Sequence, residues 1–448
     1  MMLLLLLLLQ LSAVLAHSGS AHYNVALTVS SLKTPLDGEG PNVIQRQLEM
    51  VWEPMPDAEW LGLFTVSPPQ KASEGPAPLV RINPSDYPGG YYRTNVSLPR
   101  DQYPNGWKKG SKEKPVPGDA CMPFWIAAYN KNDELLYDNC IKIRPTWMGD
   151  HRTELEILTL ADLFIPGTHS AATYNRESTV GPIGHYVLTQ DTDIWGQLVH
   201  GIRYLDLNIR HCYGGNATAY TPITQDVDRF RKLVNVDGVT HILEEIKDYI
   251  KRISCEIVIL DIHEFPPGFD EHASNHHQFV SLVHSVLGEF VLPFSNISYN
   301  STLAEVWETG RNLIIAYNHP ETVKEYDWLW PPMTHKWLES NSPQDVKEFL
   351  QECIDNARIS NETTFWVASA FLKPSPIDFM FGGAKSLREL ADKLNQNLTR
   401  WFMDEWWEFA NIVSTDFFLG NTIIDTAVKS CLDKANNLTQ SRLDFRNK

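Results

Sequence analysis

Apolar residues follow two different patterns along the chain, and the pattern changes near residue 150. After that point, short apolar runs alternate with longer segments that carry apolar residues at helical spacing. The segment at 238–253 has such helical spacing, whereas the runs at 162–170, 202–209 and 256–263 are typical of buried strands. This alternation predicts a parallel sheet with helices packed against it.

The part of the chain after residue 150 contains further predicted strands and helices. Strands are predicted at 312–317, 365–370 and 411–417, and helices near 342–357, 385–407 and 422–433. Together with the three runs above, the pattern gives six or seven strands, fewer than the eight of a regular barrel. We place this α/β domain at 150–433 and a C-terminal tail at 434–448.

The preceding residues, 17–145, show the shorter alternation of all-β structure. Their apolar runs are separated by segments rich in proline and glycine, and they include 25–29, 48–52 and 60–64. Two more runs flank the Asn-Lys-Asn-Asp segment at 130–133, which is a hairpin signal. The pattern predicts a small β-sandwich domain at 17–145.

Residues 1–16 form an apolar leader that ends in small residues. This pattern predicts a secretory signal peptide that is cleaved before His17. Seven Asn-x-Ser/Thr sites add to the picture, at Asn95, Asn216, Asn296, Asn300, Asn361, Asn397 and Asn437. The sequence therefore predicts a secreted glycoprotein.

The cysteines agree with an oxidising compartment, because six of them allow three disulfides. Cys121 and Cys140 flank the predicted hairpin, and we predict that they pair. The sequence leaves the pairing of the other four open: Cys212, Cys255, Cys353 and Cys431. The net charge of −17 argues against nucleic-acid binding and against simple electrostatic docking on anionic membranes.

The segment Asp-Leu-Phe-Ile-Pro-Gly-Thr-His-Ser at 162–170 carries the main chemical signal. We predict a buried strand that Pro166 and Gly167 end, which leaves His169 at a strand end, where α/β enzymes hold catalytic groups. Three segments, IPGTHSAATYN, GIRYLDLN and EIVILDIHEFP, resemble the X domain of phosphatidylinositol-specific phospholipase C. The resemblance extends over about 150–433 and is nearest to the secreted or small X-domain-containing branch.

The resemblance implies a distorted TIM-type barrel and a particular reaction. In that reaction the inositol 2-hydroxyl attacks the phosphodiester and diacylglycerol leaves. The reaction needs a base for the hydroxyl, an acid for the leaving alkoxide and positive charge near the phosphate. The family uses two histidines for the proton transfers and either arginine or Ca²⁺ as the cation.

Four positions near the first histidine carry the comparison further. His169 matches the general base of the family, while Ser170 stands where the family has Asp or Asn. On the next strand, Asp206 matches an acidic position, and Asn208 replaces the phosphate-binding Arg or the calcium-binding Asp. Arg210 shares their strand face, and it either reaches the phosphate or serves as a surface or ion-pairing residue.

The second family histidine has no counterpart at its expected position. Asp261 and His263 share a face of the third strand, and Glu264 follows. Either His263 and Glu264 form a proton shuttle, or Asp261 and His263 form a polar pair that lines the barrel. Asp416, at a later strand end, is expected to orient His169. Trp330, in a proline-broken loop, is predicted to line the rim of the substrate pocket.

No cofactor or metal ion is predicted. The carboxylates around Asp206 are a thin set for Ca²⁺, which prefers six or more oxygen ligands. One hypothesis is therefore a secreted, calcium-independent phosphodiesterase that acts on a phospholipid or inositol phosphate and contacts membranes peripherally. The alternative is a catalytically impaired protein that binds inositol phosphate or lipid head groups, and it rests on Ser170, Asn208 and the missing histidine.

Overall fold

The computed structural model describes most of the chain in eight segments. These are residues 24–33, 44–174, 186–214, 217–222, 238–265, 273–360, 363–374 and 385–446. The predicted signal peptide at 1–16 lies outside them.

The first part of the chain forms two antiparallel sheets. Their strands are β1 (Val25–Val29), β2 (Gln47–Trp52), β3 (Trp60–Phe64), β4 (Val80–Ile82), β5 (Tyr91–Ser97), β6 (Ala120–Tyr129) and β7 (Leu135–Ile143). One sheet has the order β1–β2–β5 and the other β4–β3–β6–β7. Met50 and Trp52 of one sheet share a hydrophobic cluster with Leu63 and Ile126 of the other. The two sheets are the predicted β-sandwich.

Strands β6 and β7 form the predicted hairpin. Asn130 Oδ1 closes its turn by accepting hydrogen bonds from the backbone N–H of Asn132 at 2.8 Å and of Glu134 at 3.0 Å. Cys121 and Cys140 form a disulfide across the two strands, with their Cα atoms 5.7 Å apart. The predicted pairing of these two cysteines is confirmed.

The remaining cysteines do not extend this disulfide pattern within the described residues. Cys255, Cys353 and Cys431 are free and buried, and the side chain of Cys212 lies outside the described part of the chain. Burial raises the pKa of the Cys431 thiol to about 11, so this thiol stays protonated and unreactive at neutral pH. These three cysteines serve as small apolar side chains in the interior.

The second part of the chain forms a curled parallel sheet. Its strands are β8 (Ile165–Thr168), β9 (Tyr204–Gly214), β11 (Val258–Glu264), β12 (Leu313–Tyr317), β13 (Thr334–Lys336), β14 (Trp366–Ala370) and β15 (Ile412–Thr415), and β10 (Ala217–Pro222) pairs antiparallel with β9. The order is β12–β11–β9–β8–β15–β14–β13.

The two edges of this sheet approach each other through Trp330, which lies just before β13. The Trp330 N–H donates to Ile315 O at 2.8 Å, and the Tyr317 N–H donates to Trp330 O at 3.2 Å. Because these bonds connect β12 to the segment leading into β13, the sheet curls into the predicted distorted TIM-type barrel.

The first barrel strand differs from the prediction in one respect. Pro166 and Gly167 lie inside β8 instead of ending it. A Cβ atom at Gly167 would lie 2.6 Å from Tyr204 Cδ1, so the strand can pack here only without a side chain. Pro166 accepts a hydrogen bond from the Arg203 N–H at 2.9 Å through its carbonyl, which needs no N–H of its own. His169 follows the strand directly, as predicted.

Ten α-helices are described. They are α1 (Trp147–Asp150), α2 (Arg152–Leu155), α3 (Ile194–His200), α4 (Val239–Ile250), α5 (Ala273–Leu287), α6 (Leu303–Glu308), α7 (Pro320–Glu325), α8 (Pro343–Ser360), α9 (Leu387–Trp401) and α10 (Ile423–Arg446). Helix α10 continues through most of the predicted tail at 434–448. Among the described helices, none has the length and apolar character needed to cross a membrane.

A buried ionic cluster around Asp191 joins the β-sandwich to the barrel. The guanidinium of Arg388, which is 1% exposed, binds the Asp191 carboxylate. Two arginines from the sandwich side, Arg46 and Arg100, donate to the Asp191 carbonyl at 3.4 and 2.8 Å. Burial opposes the charge of Asp191, but the three guanidinium groups outweigh it and lower the pKa of the carboxyl. The two domains therefore share a buried polar contact.

Replacing both Cys121 and Cys140 by serine should destabilise the protein. Loss of the loop constraint is expected to lower the free energy of unfolding by about 2–4 kcal/mol, measured by urea denaturation. Cys353→Ala, which removes a free thiol, is the matched control and should cost less. Equal unfolding midpoints for the double variant and the wild type would contradict a stabilising disulfide.

Candidate active site at the barrel mouth

Polar side chains converge where the parallel strands end. His169 follows β8, Asp416 follows β15, and His263 lies near the end of β11. Since the carboxyl ends of parallel barrel strands open at one face, these side chains share the barrel mouth. This is the position at which the sequence places its candidate catalytic residues.

His169 and Asp416 form the central contact. His169 Nδ1 lies 2.8 Å from Asp416 Oδ1, and Phe371 stacks on the imidazole with ring centroids 3.8 Å apart. A carboxylate only accepts hydrogen bonds, so Nδ1 carries the proton and Nε2 of the neutral ring is left as a base. Ser170 Oγ lies 3.3 Å from that Nε2. The structure thus brings His169 and Asp416 into contact, and the orienting role of Asp416 stays a prediction.

The electrostatics of this pair favour a protonated imidazole more than in water. Burial opposes the charge on His169, but the adjacent Asp416 carboxylate outweighs burial and raises the pKa of His169 above 6.5. The positive charge of Lys373 lowers the pKa of both His169 and Asp416. A base of this kind becomes available as the pH rises through its raised pKa.

The residue that directly follows each member of this pair has an uncommon backbone conformation. Ser170 and Phe417, which directly follow His169 and Asp416, have positive φ angles of 43° and 46°. Such residues cost roughly 1–3 kcal/mol each and persist where the surroundings fix them. Gln190 supplies part of that constraint, because its Nε2 donates to His169 O at 3.1 Å and to Thr415 O at 2.9 Å.

Asp206 connects the first histidine to a second imidazole. Its Oδ2 accepts a hydrogen bond from the Ser170 N–H at 3.1 Å. Its Oδ1 lies 3.2 Å from His263 Nδ1, an ion-pair contact without hydrogen-bond angles. His263 Nε2 is 4.0 Å from Glu264 Oε1, and burial raises the pKa of the Glu264 carboxyl. The two imidazoles are therefore linked through one carboxylate.

Deeper in the barrel, Asp261 binds a third imidazole. Its Oδ2 accepts from the Tyr204 hydroxyl at 2.7 Å and lies 2.9 Å from His335 Nε2. Although burial opposes the charge of Asp261, its hydrogen bond with His335 and the charge of that ring lower the pKa of the carboxyl. The His335 and His263 rings stack with centroids 4.1 Å apart. Asp261 and His263 thus both line the mouth, but the imidazole within bonding distance of Asp261 is His335.

The remaining predicted site residues have different environments. Asn208 is 3% exposed, and its Oδ1 has no hydrogen-bond partner among the described residues. Arg210 lies in β9, but its side chain is outside the described part of the chain.

The prediction that Trp330 lines the rim of the substrate pocket is wrong. Trp330 is fully buried, and its Nε1 donates to Leu292 O at 2.8 Å. Its indole packs on Phe365 in the core instead of lining a pocket rim.

Two residues at the mouth were missed from the sequence. His335 lies in the three-residue strand β13, which is too short for a periodicity signal. Lys373 follows β14 and also lies over the Trp337 ring at 4.5 Å. A search for polar residues just beyond each predicted strand would have found Lys373, since the strand at 365–370 was predicted.

Comparison with known proteins gives relatives that share a single domain name. The chain is 24% identical over 315 residues to PI-PLC X domain-containing protein 3 of Mus musculus, covering 63% of this chain and 92% of that protein. The chain is also 24% identical over 297 residues to PI-PLC X domain-containing protein 1 of Mus musculus, covering 60% of this chain and 81% of that protein. Protein 2 from Mus musculus is 26% identical over 253 residues, covering 51% and 69%.

Over about half to two thirds of its length the chain is therefore similar to PI-PLC X domain-containing proteins.

The chain also aligns with solved structures of phospholipases C. A phosphatidylinositol-specific phospholipase C from Staphylococcus aureus aligns with a TM-score of 0.44 at 13% identity, covering 64% of this chain and 97% of that one. The enzyme from Listeria monocytogenes aligns with a TM-score of 0.42 at 16% identity, covering 64% and 98%. No protein-family model matches the chain.

Asp416→Asn should lower the pKa of His169. The variant removes the carboxylate charge that raises it, and NMR titration of labelled histidines would measure the change. His200, whose pKa burial lowers to about 4, is the internal control and should not move. An unchanged His169 titration in the variant would contradict the electrostatic role of Asp416.

The same pair predicts a pH dependence of stability. Because the folded-state pKa of His169 lies above its ordinary value of 6.5, the attraction to Asp416 stabilises the fold fully below that value and is lost as the pH rises through the raised pKa. The stability difference between wild type and Asp416→Asn should therefore shrink as the pH increases.

Proposed function

We propose that this protein is a secreted, calcium-independent phosphodiesterase that cleaves phosphatidylinositol-type lipids, with His169 as the general base. The observation that carries the proposal is the 2.8 Å contact between His169 Nδ1 and Asp416 Oδ1 at the mouth of an X-domain barrel. That contact leaves Nε2 to take the proton of an attacking hydroxyl as it forms the new P–O bond.

The second proton transfer is assigned to His263. The leaving alkoxide requires a proton when its P–O bond breaks, and Asp206 holds the His263 ring within reach of the same mouth. Asn208 Oδ1, a buried acceptor without a partner among the described residues, suits a hydroxyl of a polyol head group. Polar groups with these roles fit a phosphoinositide or inositol phosphate ligand.

The proposed reaction also needs a positively charged side chain beside the phosphate. Asn208 supplies none, and Arg210 and Lys373 are the candidate cations. Calcium does not fit well, because Asp206 faces His263 and the Ser170 hydroxyl is directed at His169, which leaves few oxygens for an ion that prefers six or more. We therefore assign no step to a calcium ion.

The alternative function is binding of inositol phosphate or lipid head groups without turnover. The specific observation in its favour is Asn208, buried where the family resemblance implies a charged residue. Loss of an electrostatic contact to the transition state costs on the order of 10²–10³ in rate. A protein with this defect would retain the mouth but little of the chemistry.

Activity on phosphatidylinositol vesicles in the presence of a calcium chelator tests the first proposal. His169→Ala should lower turnover by roughly 10²–10⁴, the usual contribution of a general base. The rate of the wild type should rise with pH through the raised pKa of His169. His277→Ala is the control, because that imidazole is 40% exposed and contacts Glu325 outside the mouth.

Different outcomes separate the two functions. Turnover that survives both His169→Ala and Arg210→Ala would place the chemistry elsewhere and refute the assignment. An inactive wild type that binds inositol phosphate, with weaker binding after Asn208→Ala, would favour the alternative. Gain of activity in Asn208→Arg would identify the missing charge as the cause.

Secretion rests on the leader, the confirmed disulfide and the glycosylation sites. Of the sites that the structure describes, Asn95, Asn296, Asn300 and Asn437 are exposed, and Asn397 is half-buried. Asn216 and Asn361 lie outside the described residues. A glycan needs an exposed acceptor, so at least four of these sites suit modification in the secretory pathway.

Expression in a eukaryotic secretory host should release the protein into the medium. Glycosidase treatment should lower its apparent mass, and replacing the four exposed asparagines by glutamine should remove most of that shift. Accumulation of an unglycosylated protein in the cytosol would refute the proposed localisation.

A further inference from the structure

We propose that Asp261, His263 and His335 form a binding site for a divalent transition metal, of which zinc has the best-matched chemistry. One potential ligand atom from each side chain lies within 4.8 Å of those of the other two. Two imidazoles with one carboxylate are a ligand set of catalytic zinc sites, which use three protein ligands and keep an open position.

The geometry needs little adjustment to accept an ion. Bonds of about 2.0–2.1 Å in a tetrahedron separate ligand atoms by about 3.3 Å. His335 Nε2 and Asp261 Oδ2 are 2.9 Å apart in a hydrogen bond that the ion would replace. The side chains of His263 and His335 are 15% and 17% exposed, so rotation of either ring can close the remaining distance, and an ion can enter from the mouth.

The bonding state of the three side chains also points to a cation. Asp261 is fully buried, and its Oδ1 has no hydrogen-bond partner among the described residues. A buried carboxylate oxygen without a donor is costly, and a metal ion would satisfy it. The His263 and His335 rings stack with centroids 4.1 Å apart, so two imidazoles lie together beside this carboxylate.

Neighbouring groups support the ligands as they do in known metal sites. The Tyr204 hydroxyl donates to Asp261 at 2.7 Å, and Asp206 lies beside the His263 ring. Partners of this kind orient ligands and raise their basicity. A simple ion pair between His335 and Asp261 would explain one contact, but not the second stacked imidazole or the bare Oδ1.

Zinc bound at this site would slow the proposed reaction, but the metal site does not require that the protein catalyses that reaction. A His263 ring bound to zinc cannot also donate a proton, so zinc should slow the proposed reaction. Metal binding itself can be measured on a protein without turnover. A wild type that binds zinc but shows no turnover after the metal has been removed with a chelator would thus refute the phosphodiesterase and leave the metal site intact.

The test uses the full chain, stripped with a chelator and titrated with Zn²⁺ ions by calorimetry. We expect one ion per chain and a higher melting temperature, as for any ligand of the folded state. Affinity should fall by at least about 100-fold in His335→Ala and Asp261→Asn, and by about 10–100-fold in Tyr204→Phe, which removes only a supporting hydroxyl. His277→Ala, which removes a histidine beside a carboxylate at the surface, should bind like the wild type.

Cobalt gives a readout that needs no variant. Wild-type protein titrated with Co²⁺ should develop the saturable visible absorption of a four- or five-coordinate ion, and Zn²⁺ should displace it. Absence of saturable Zn²⁺ binding and of this absorption would overturn the proposal. Undiminished zinc affinity in both His335→Ala and Asp261→Asn would overturn it as well.

Discussion

The close packing of the Tyr204 ring against Gly167 determines how the barrel mouth is built. The ring occupies the space of a missing Cβ, which fixes the separation of β8 and β9. The hydroxyl of the same tyrosine extends to Asp261 on β11. One fully buried side chain therefore sets the relative positions of three strands, and the imidazoles at their ends inherit that geometry. A larger residue at position 167 would displace His169 from the other side chains at the mouth.

Much of the fold follows from local patterns in the sequence. The strands at 25–29 and 60–64 have their predicted bounds, and the others are shifted by a few residues, because alternation and apolar runs reflect burial directly. The failure at Pro166 and Gly167 has a different origin. Their usual role in turns was outweighed by a tertiary contact, the Tyr204 ring, that no local pattern encodes. The extension of α10 beyond residue 433 contacts the barrel at its start, where Lys434 donates to Asp162 O and Ala435 is buried.

The site was predictable where the chemistry lies next to a strong strand. His169 and Asp416 each lie at the end of a predicted strand, and the family resemblance implied that they lie close together. His335 could not be predicted in this way, because its strand has three residues and is recognised only by its pairing with β14. Trp330 misled the prediction for a related reason. The prolines after it indicate a loop, but the residue itself bridges the barrel edges and is buried by them.

The Asp191 cluster has a consequence for how the protein unfolds. Separation of the β-sandwich from the barrel would leave Arg388 and Asp191 in an interface that has lost Arg46 and Arg100, and exposed apolar surface would surround them. The two domains are thus expected to melt in a single cooperative transition. The same contact between the two domains limits which N-terminal domains recombination can join to the barrel. A different N-terminal domain would reproduce this contact only if it also presented donors to the Asp191 carbonyl. Asp191 lies one residue from Gln190, whose side chain binds the backbone of His169 and Thr415.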